Sequence, residues 1–257
     1  RVEVRDPKLQ AVLDLNRRIV YSGIDEGGAC FGALNRIYHL IWVRDGAMTT
    51  ALMARAGNPD LLRLWTPFLL RNPSHVRLPN GMVVPEFLQM LGTRWTKAED
   101  DGLFYAALTC FTHWQTTGDD TLLHGPEFSL LLDAIDRALD KTFDAARGLV
   151  GSDTLGETSL TGSPLYGYDA VNGRMAVAAL HDVEKTDIQR SYSLYHQVNM
   201  FNLLTMAQML LTQRPELDGA RRERYAAIAA TLRESICAKF VNKAGVLNSM
   251  LALYSNG

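Results

Sequence analysis

The sequence predicts an all-α protein in which the helices form layers or a closed ring. About eight segments carry helical periodicity and are delimited by glycine, proline and asparagine. Several of these segments are apolar over more than one face, as expected for helices that are buried on two sides. Short links such as Gly57-Asn58 alternate with long connections at 72–99 and 145–171. Long connections in a compact domain usually carry function, so we expect functional residues there or at their edges.

The first three helices are predicted from the residues at their ends. Asp6 and Pro7 suit the cap and the first turn of a helix over 6–23, which ends at a glycine. A second helix follows the sequence WVRD and ends at Gly57. A third helix is predicted over 58–73, directly after the second, because an Asn-Pro pair is typical of a helix start.

The remaining helices are predicted from periodicity and flanking turn residues. They cover 100–119, 125–144, 171–185, 191–215 and 219–242. Strand signals are weak, and NGMVVPEF at 80–87 is the best candidate for a short extended segment. No low-complexity segment or linker interrupts the chain, so residues 1–257 are expected to form a single domain.

The composition restricts the kinds of partner that the protein could bind. The 257 residues are 47% hydrophobic and 21% charged, with a formal net charge of −2. This near-neutral balance does not favour binding to nucleic acid or to an anionic membrane surface. No apolar run reaches the ~18 residues of a membrane span. We therefore expect neither a nucleic-acid partner nor a membrane partner.

The cysteines and glycines give no indication of a metal or a cofactor. Cys30, Cys110 and Cys237 lie far apart and form no CxxC pair, which argues against a disulfide framework and a zinc site. We expect three buried, inert thiols. GIDEGGACFG at 23–32 is rich in glycine but is not a GxGxxG sequence after a strand, which disfavours phosphate binding.

The first candidate motif is WVRD, with Trp42, Arg44 and Asp45 at the start of a predicted helix. A guanidinium and a carboxylate can together make charge-assisted hydrogen bonds to neighbouring sugar hydroxyls. The indole supplies a flat apolar face on which a sugar ring can stack. The structural alternative is an ion pair at a helix N-terminus beside a core tryptophan.

The second candidate motif ends the connection at 72–99 and enters the next helix. Trp95 is followed by the acidic residues Glu99, Asp100 and Asp101. Three acids at a helix N-terminus also interact favourably with the helix dipole, so a solvated acidic cap is the structural alternative. Trp95 favours a functional interpretation, because connecting segments seldom expose a tryptophan to solvent.

The third candidate motif lies in GSPLYGYDAVNG at 162–173, where Tyr166 and Tyr168 flank Asp169. Aromatic neighbours partly remove a carboxyl group from water, which raises its pKa toward the range that a general acid needs. The structural alternative is a cap for a helix that starts near Val171. Glu157 is a second acid in the same long connection.

Taken in this order, the three motifs resemble those of the glucoamylase family and its relatives with six-hairpin, (α/α)6-barrel folds. WVRD is similar to the family element that holds the glucose at the non-reducing end. Trp95 followed by Asp101-Gly102 resembles the tryptophan and the Asp-Gly helix start that come next in the family. YDAVNG at 168–173 resembles the element whose acid is the catalytic proton donor. The resemblance covers most of residues 36–245.

This resemblance implies an inverting glycoside hydrolase that releases terminal α-linked glucose from an oligosaccharide. Asp169 corresponds to the catalytic acid, and no metal or cofactor is implied. Further acidic and aromatic residues of the motifs and connections are expected to bind substrate: Trp42, Arg44, Asp45, Trp95, Glu99, Asp101, Glu157 and Tyr168.

The sequence departs from the glucoamylase pattern in two respects. The glucoamylase donor is a glutamate, whereas Asp169 is more similar to the donors of trehalases and processing α-glucosidases, which leaves the linkage open. Six hairpins also need twelve helices, and the family's catalytic base lies in its last third. We therefore expect residues 1–257 to be a toroid that lacks its C-terminal third, with the base beyond Gly257.

Two alternatives come from other classes of protein. A non-catalytic carbohydrate-binding α/α toroid would keep the sugar pocket without the chemistry. A toroid similar to prenyl transferases or terpene cyclases is disfavoured, because the sequence EDDG at 99–102 is not a metal-binding DDxxD motif. The oligomeric state is left open by the sequence.

Overall fold

A computed structural model of the protein describes residues 4–31, 41–77, 80–87, 90–91, 101–151, 168–169, 174–175, 188–217, 219–247 and 250–254. This part of the chain is mostly helical, with seven α-helices. They are α1 (Pro7–Ser22), α2 (Val43–Arg55), α3 (Asp60–Arg71), α4 (Gly102–Thr117), α5 (Pro126–Thr142), α6 (Leu194–Leu211) and α7 (Gly219–Lys239).

Short strands pair in twos, and every pair is antiparallel. The pairs are β1 (Ile41–Trp42) with β4 (Met90–Leu91), β2 (Ser74–Arg77) with β3 (Val83–Glu86), β5 (Phe143–Asp144) with β6 (Leu149–Val150), β7 (Tyr168–Asp169) with β8 (Arg174–Met175), and β9 (Ile188–Ser193) with β10 (Met250–Tyr254). A two-stranded pair has little stability by itself, and helices support some of these strands: β1 contacts α2, and β6 and β9 contact α6.

The chain divides into two compact units. The first unit comprises residues 1–95 and 105–134, and the second comprises residues 96–104 and 135–257. In the first unit, α2 packs on α3 around Trp65, which is fully buried. His113 of α4 is also buried, with its Nδ1 atom 3.2 Å from the Thr66 hydroxyl oxygen.

The core of the second unit is centred on the α6–α7 hairpin. Leu203, Leu204 and Leu210 of α6 are buried, as are Tyr225 and Leu232 of α7. α7 is also tied to α5 by ion pairs: Arg221 Nε lies 2.7 Å from a carboxylate oxygen of Asp136, and Arg224 pairs with Asp136 and Asp140. Burial of the Tyr225 ring raises the pKa of its hydroxyl well above the ordinary value, so the group stays neutral.

Most of the predicted helices are confirmed within a few residues of their predicted ends. The Asp6 side chain accepts hydrogen bonds from the Lys8 and Leu9 amides, and Gly23 caps the C-terminal end of α1. Short extended structure within 80–87 is also confirmed, as β3. None of the described helices combines the length and the apolar character that crossing a bilayer requires.

The helix predicted over 171–185 is wrong where the structure describes it. Arg174–Met175 form a strand that pairs with Tyr168–Asp169. Asn172-Gly173 in the sequence is a dipeptide that favours hairpin turns, a local signal that the prediction of a helix over 171–185 did not weigh. The prediction also missed β9 and β10, because strands so far apart in sequence leave no local signal of their pairing.

Candidate active site

The WVRD motif lies at the junction of β1 and α2. Trp42 has extended backbone angles and immediately precedes the helix, which begins at Val43. Arg44 and Asp45 therefore belong to the first helical turn, where the carboxylate interacts favourably with the helix dipole. The side chains of all three motif residues are half-buried, whereas Val43 is fully buried. This exposure would leave the polar groups accessible to a ligand.

Gly46 explains how this first turn is held in place. A methyl group at Gly46 would lie 2.7 Å from Cε2 and 2.8 Å from Cη2 of Trp65, and closer still to Cζ2. Such distances mean overlap, so the turn carrying Arg44 and Asp45 rests directly against the buried indole. Gly46 was not among the residues predicted from the sequence. The available signal was a glycine inside a predicted helix. Glycine lowers helix stability there, so its presence suggests a site where close packing excludes a side chain.

The cysteines of the first unit are not nucleophiles. Burial, with a further contribution from the Asp45 carboxylate, raises the pKa of the Cys30 thiol to about 12. Burial likewise raises the pKa of Cys110 to about 12. The prediction of buried, inert thiols is confirmed for these two residues. It is wrong for Cys237, which is exposed on α7.

Asp101 lies one residue before α4 and is only 1% exposed. The Tyr195 hydroxyl, from the first turn of α6, donates a hydrogen bond to its Oδ2 atom at 2.9 Å. Asp101 is therefore not a solvated acidic cap. A buried carboxylate needs hydrogen-bond donors, so this contact fixes the start of α4 against the start of α6.

Asp169 lies in β7, where the strand register places it opposite Arg174 of β8. For Tyr168 and Asp169 the structure describes only the backbone, so a raised pKa for Asp169 stays a prediction. Three further predicted residues, Trp95, Glu99 and Glu157, lie outside the described residues. Convergence of the three motifs on one pocket likewise stays a prediction.

Gln197, in the first turn of α6, is a residue that the sequence analysis missed. Its side-chain amide is fully buried. Oε1 accepts a hydrogen bond from the Val150 amide at 2.7 Å, and Nε2 donates to the Val150 carbonyl at 2.7 Å. Nε2 also donates to the Ser193 carbonyl at 3.1 Å. One side chain therefore joins β6 to the end of β9.

A second contact joins the same two regions of the chain. The Tyr192 hydroxyl in β9 donates to Oδ2 of Asp144 in β5 at 2.7 Å, and Arg147 Nη1 donates to the same oxygen at 2.9 Å. Burial alone would raise the pKa of Asp144, but these hydrogen bonds outweigh it and hold the pKa below its ordinary value. Asp144 is therefore ionised at neutral pH.

The sequence matches no protein-family model, and no curated protein is detectably similar to it. The resemblance to glucoamylases therefore rests on the three short motifs alone. Among the side chains that the structure describes, no three histidine, cysteine or acidic groups lie together in a way that could hold a metal ion.

Proposed function

We propose that the protein is a glycoside hydrolase that removes terminal α-linked glucose from an oligosaccharide with inversion of configuration. One observation carries this proposal: WVRD, Trp95 with Asp101-Gly102, and YDAVNG occur in the order in which glucoamylase-like enzymes carry their sugar-binding and acid elements. The proposed fold is an (α/α)6 toroid. The apolar character of α4 and α6 over all their faces supports it, because helices buried on both sides suit such a ring.

Two features of the described residues favour a real binding site over accidental matches to the three sequence motifs. WVRD supplies a half-buried tryptophan, cation and anion at a helix start that Gly46 seats against Trp65. The acid of the second motif, Asp101, is buried and bonded to Tyr195. An acid that only capped a helix would lose little by staying in water.

In the proposed mechanism, Asp169 is the general acid. Its carboxyl group gives a proton to the glycosidic oxygen as the bond to the anomeric carbon breaks, and the oxygen leaves as a hydroxyl. A water molecule, deprotonated by a second carboxylate ~6.5–9.5 Å from the acid, attacks the opposite face of the sugar. Arg44 and Asp45 hold hydroxyls of the terminal glucose, with Trp42 and Trp95 packed around the ring. No residue of this chain is assigned as the base.

The first test is hydrolysis of a panel of α-linked glucose disaccharides by the complete protein. Inversion predicts that nuclear magnetic resonance will detect β-glucose as the first product. Glucose binding without hydrolysis of any disaccharide would favour a non-catalytic carbohydrate-binding toroid instead.

The second test replaces the proposed acid. Asp169→Asn keeps the shape of the side chain and removes the transferable proton. We expect kcat on the best disaccharide to fall about 10²- to 10⁴-fold with little change in binding. Hydrolysis of α-glucosyl fluoride, whose leaving group needs little protonation, should fall much less.

Asp60→Asn is the control, because the Asp60 carboxylate is exposed at the start of α3. It should leave both rates unchanged. Hydrolysis of the disaccharide by Asp169→Asn at the parental rate would show that Asp169 is not the acid and that the mechanism is wrong.

A further inference from the structure

The first unit contains a cavity that includes no residue of the three motifs. It has a volume of about 350 Å³ and is lined by the last turn of α3, the start of α5 and the hairpin of β2 and β3. Ligand pockets in proteins usually have volumes of ~300–1,000 Å³, so the cavity can hold a small molecule. The hairpin belongs to the connection over 72–99, where the sequence predicts functional residues.

Most of the cavity lining is apolar. Five of its eight residues share this character: Leu70, Pro73, Pro85, Pro126 and Leu130. Pro126 and Leu130 are one helical turn apart in α5 and lie on the same face of that helix. Pro85 of β3 pairs directly with His75 of β2, so both side chains lie on one face of the hairpin. The proline rings are rigid, and they offer apolar surface to a ligand without losing side-chain freedom.

The polar part of the lining contains an ion pair between α3 and α5. Arg71 Nε lies 3.3 Å from Oε1 of Glu127, and the two side chains are 63% and 22% exposed. Arg71 forms no other hydrogen bond to a described residue, so its two terminal amino groups can still donate to a ligand. Oε2 of Glu127 can likewise accept. Gly125 leaves room for this oxygen, because a methyl group there would overlap it.

The charges of the cavity favour a neutral ligand that carries several hydroxyl groups. The charges of Arg71 and Glu127 cancel, so an anionic or cationic ligand would have to compete with the ion pair. A guanidinium beside a carboxylate presents donors and an acceptor together, and both make charge-assisted hydrogen bonds to hydroxyl groups. A sugar ring combines neighbouring hydroxyls with an apolar C–H face, which matches the proline and leucine lining.

We propose that this cavity is a saccharide-binding site for a neutral mono- or disaccharide. Arg71 and Glu127 hold neighbouring hydroxyls, His75 supplies a further hydrogen-bonding group at the same face, and the apolar side chains contact the ring. The site binds sugar without chemistry, so the inference goes beyond the proposed hydrolysis of α-glucosides and does not rest on it.

The test measures the Kd of methyl α-thioglucoside for the complete protein by nuclear magnetic resonance. The sulfur bridge of this probe resists hydrolysis. All variants carry Arg44→Ala, which removes the sugar contact proposed for WVRD, so the remaining binding reports on the cavity. Arg71→Met removes the guanidinium and nearly keeps the length of the side chain. We expect its Kd to rise about 10-fold or more, because hydrogen bonds to a charged group are lost.

Glu127→Gln should raise the Kd less, because the amide oxygen can still accept a hydrogen bond from a hydroxyl. Arg63→Met is the matched control. Arg63 also forms an ion pair on α3, with Asp60, but does not line the cavity. Its Kd should equal that of the protein with Arg44→Ala alone.

Several outcomes would contradict the inference. Loss of all binding in Arg44→Ala alone would show that the cavity holds no sugar. An unchanged Kd in Arg71→Met would show that the ion pair only joins α3 to α5. Tighter binding of the matching glucuronide than of the glucoside would identify the ligand as an anion. Because the readout is binding, a protein that hydrolyses no α-glucoside would disprove the proposed function and leave this inference standing.

Discussion

The first turn of α2 and the first turn of α6 carry candidate site residues, but different forces hold them in place. In the first unit, the turn with Arg44 and Asp45 rests on a steric contact between Gly46 and the buried Trp65 ring. In the second unit, the turn with Tyr195 and Gln197 is held by buried hydrogen bonds. A steric contact tolerates changes of pH but not of volume. A hydrogen-bonded contact tolerates small changes of volume but not the loss of a partner.

The largest expected effect is on the steric contact. Gly46→Ala places a methyl group inside the contact distance of three Trp65 ring atoms, and the indole is fully buried. We expect the free energy of unfolding to fall by about 3 kcal/mol, at the upper end of the usual cost of overpacking. Denaturation by urea, followed by circular dichroism, measures this loss.

Gly219→Ala is the matched control for this prediction. Gly219 begins α7, and a methyl group there would meet no atom within 4 Å. Its stability should match or slightly exceed that of the parent, because alanine favours helix. Equal stabilities for Gly46→Ala and Gly219→Ala would show that α2 is not seated on Trp65.

This comparison also explains what the sequence could and could not predict. The ends of α1 were predictable, because Asp6, Pro7 and Gly23 act within a few residues of their own positions. The role of Gly46 was not, because it depends on a contact with Trp65 in another helix. Local chemistry can be predicted from the sequence, whereas packing between helices depends on the folded chain.

In the candidate site, too, the contacts between distant parts of the chain could not be predicted from the sequence. The sequence identified Asp101 as a residue of interest, but not its burial or its hydrogen bond from Tyr195, which lies 94 positions away. Gln197 lies in an apolar helical segment, where the pattern indicates only a core helix. Its hydrogen bonds go to the backbone of Val150, 47 positions earlier.

The next largest effect should come from the hydrogen-bonded turn. Tyr195→Phe removes the hydroxyl that donates to the buried Asp101 carboxylate and keeps the ring. We expect a loss of about 1–3 kcal/mol in the free energy of unfolding, since the buried Asp101 side chain loses a hydrogen-bond donor. Tyr21→Phe is the control, because the Tyr21 side chain is exposed on α1. A loss below ~0.3 kcal/mol for Tyr195→Phe would mean that the hydroxyl does not hold the turn.

The smallest expected effect is the pH dependence of the contact between Tyr192 of β9 and Asp144 of β5. The hydrogen bonds from Tyr192 and Arg147 outweigh burial and lower the pKa of Asp144 below its ordinary value of 3.8. A carboxyl group whose pKa is lower in the folded state stabilises the protein above its unfolded pKa. That stability is lost as pH falls through the folded value.

The free energy of unfolding should therefore decrease from about pH 4 downward, with Asp144 contributing on the order of 1 kcal/mol or less. Asp144→Asn should remove this part of the slope, so the difference in stability between parent and variant should shrink from pH 6 to pH 2.5. The loss caused by Gly46→Ala should stay constant over the same range, because no proton is exchanged at the steric contact. Urea denaturation at five or six pH values measures both differences. A constant difference for Asp144→Asn, or a pH-dependent one for Gly46→Ala, would contradict the distinction between hydrogen-bonded and steric contacts.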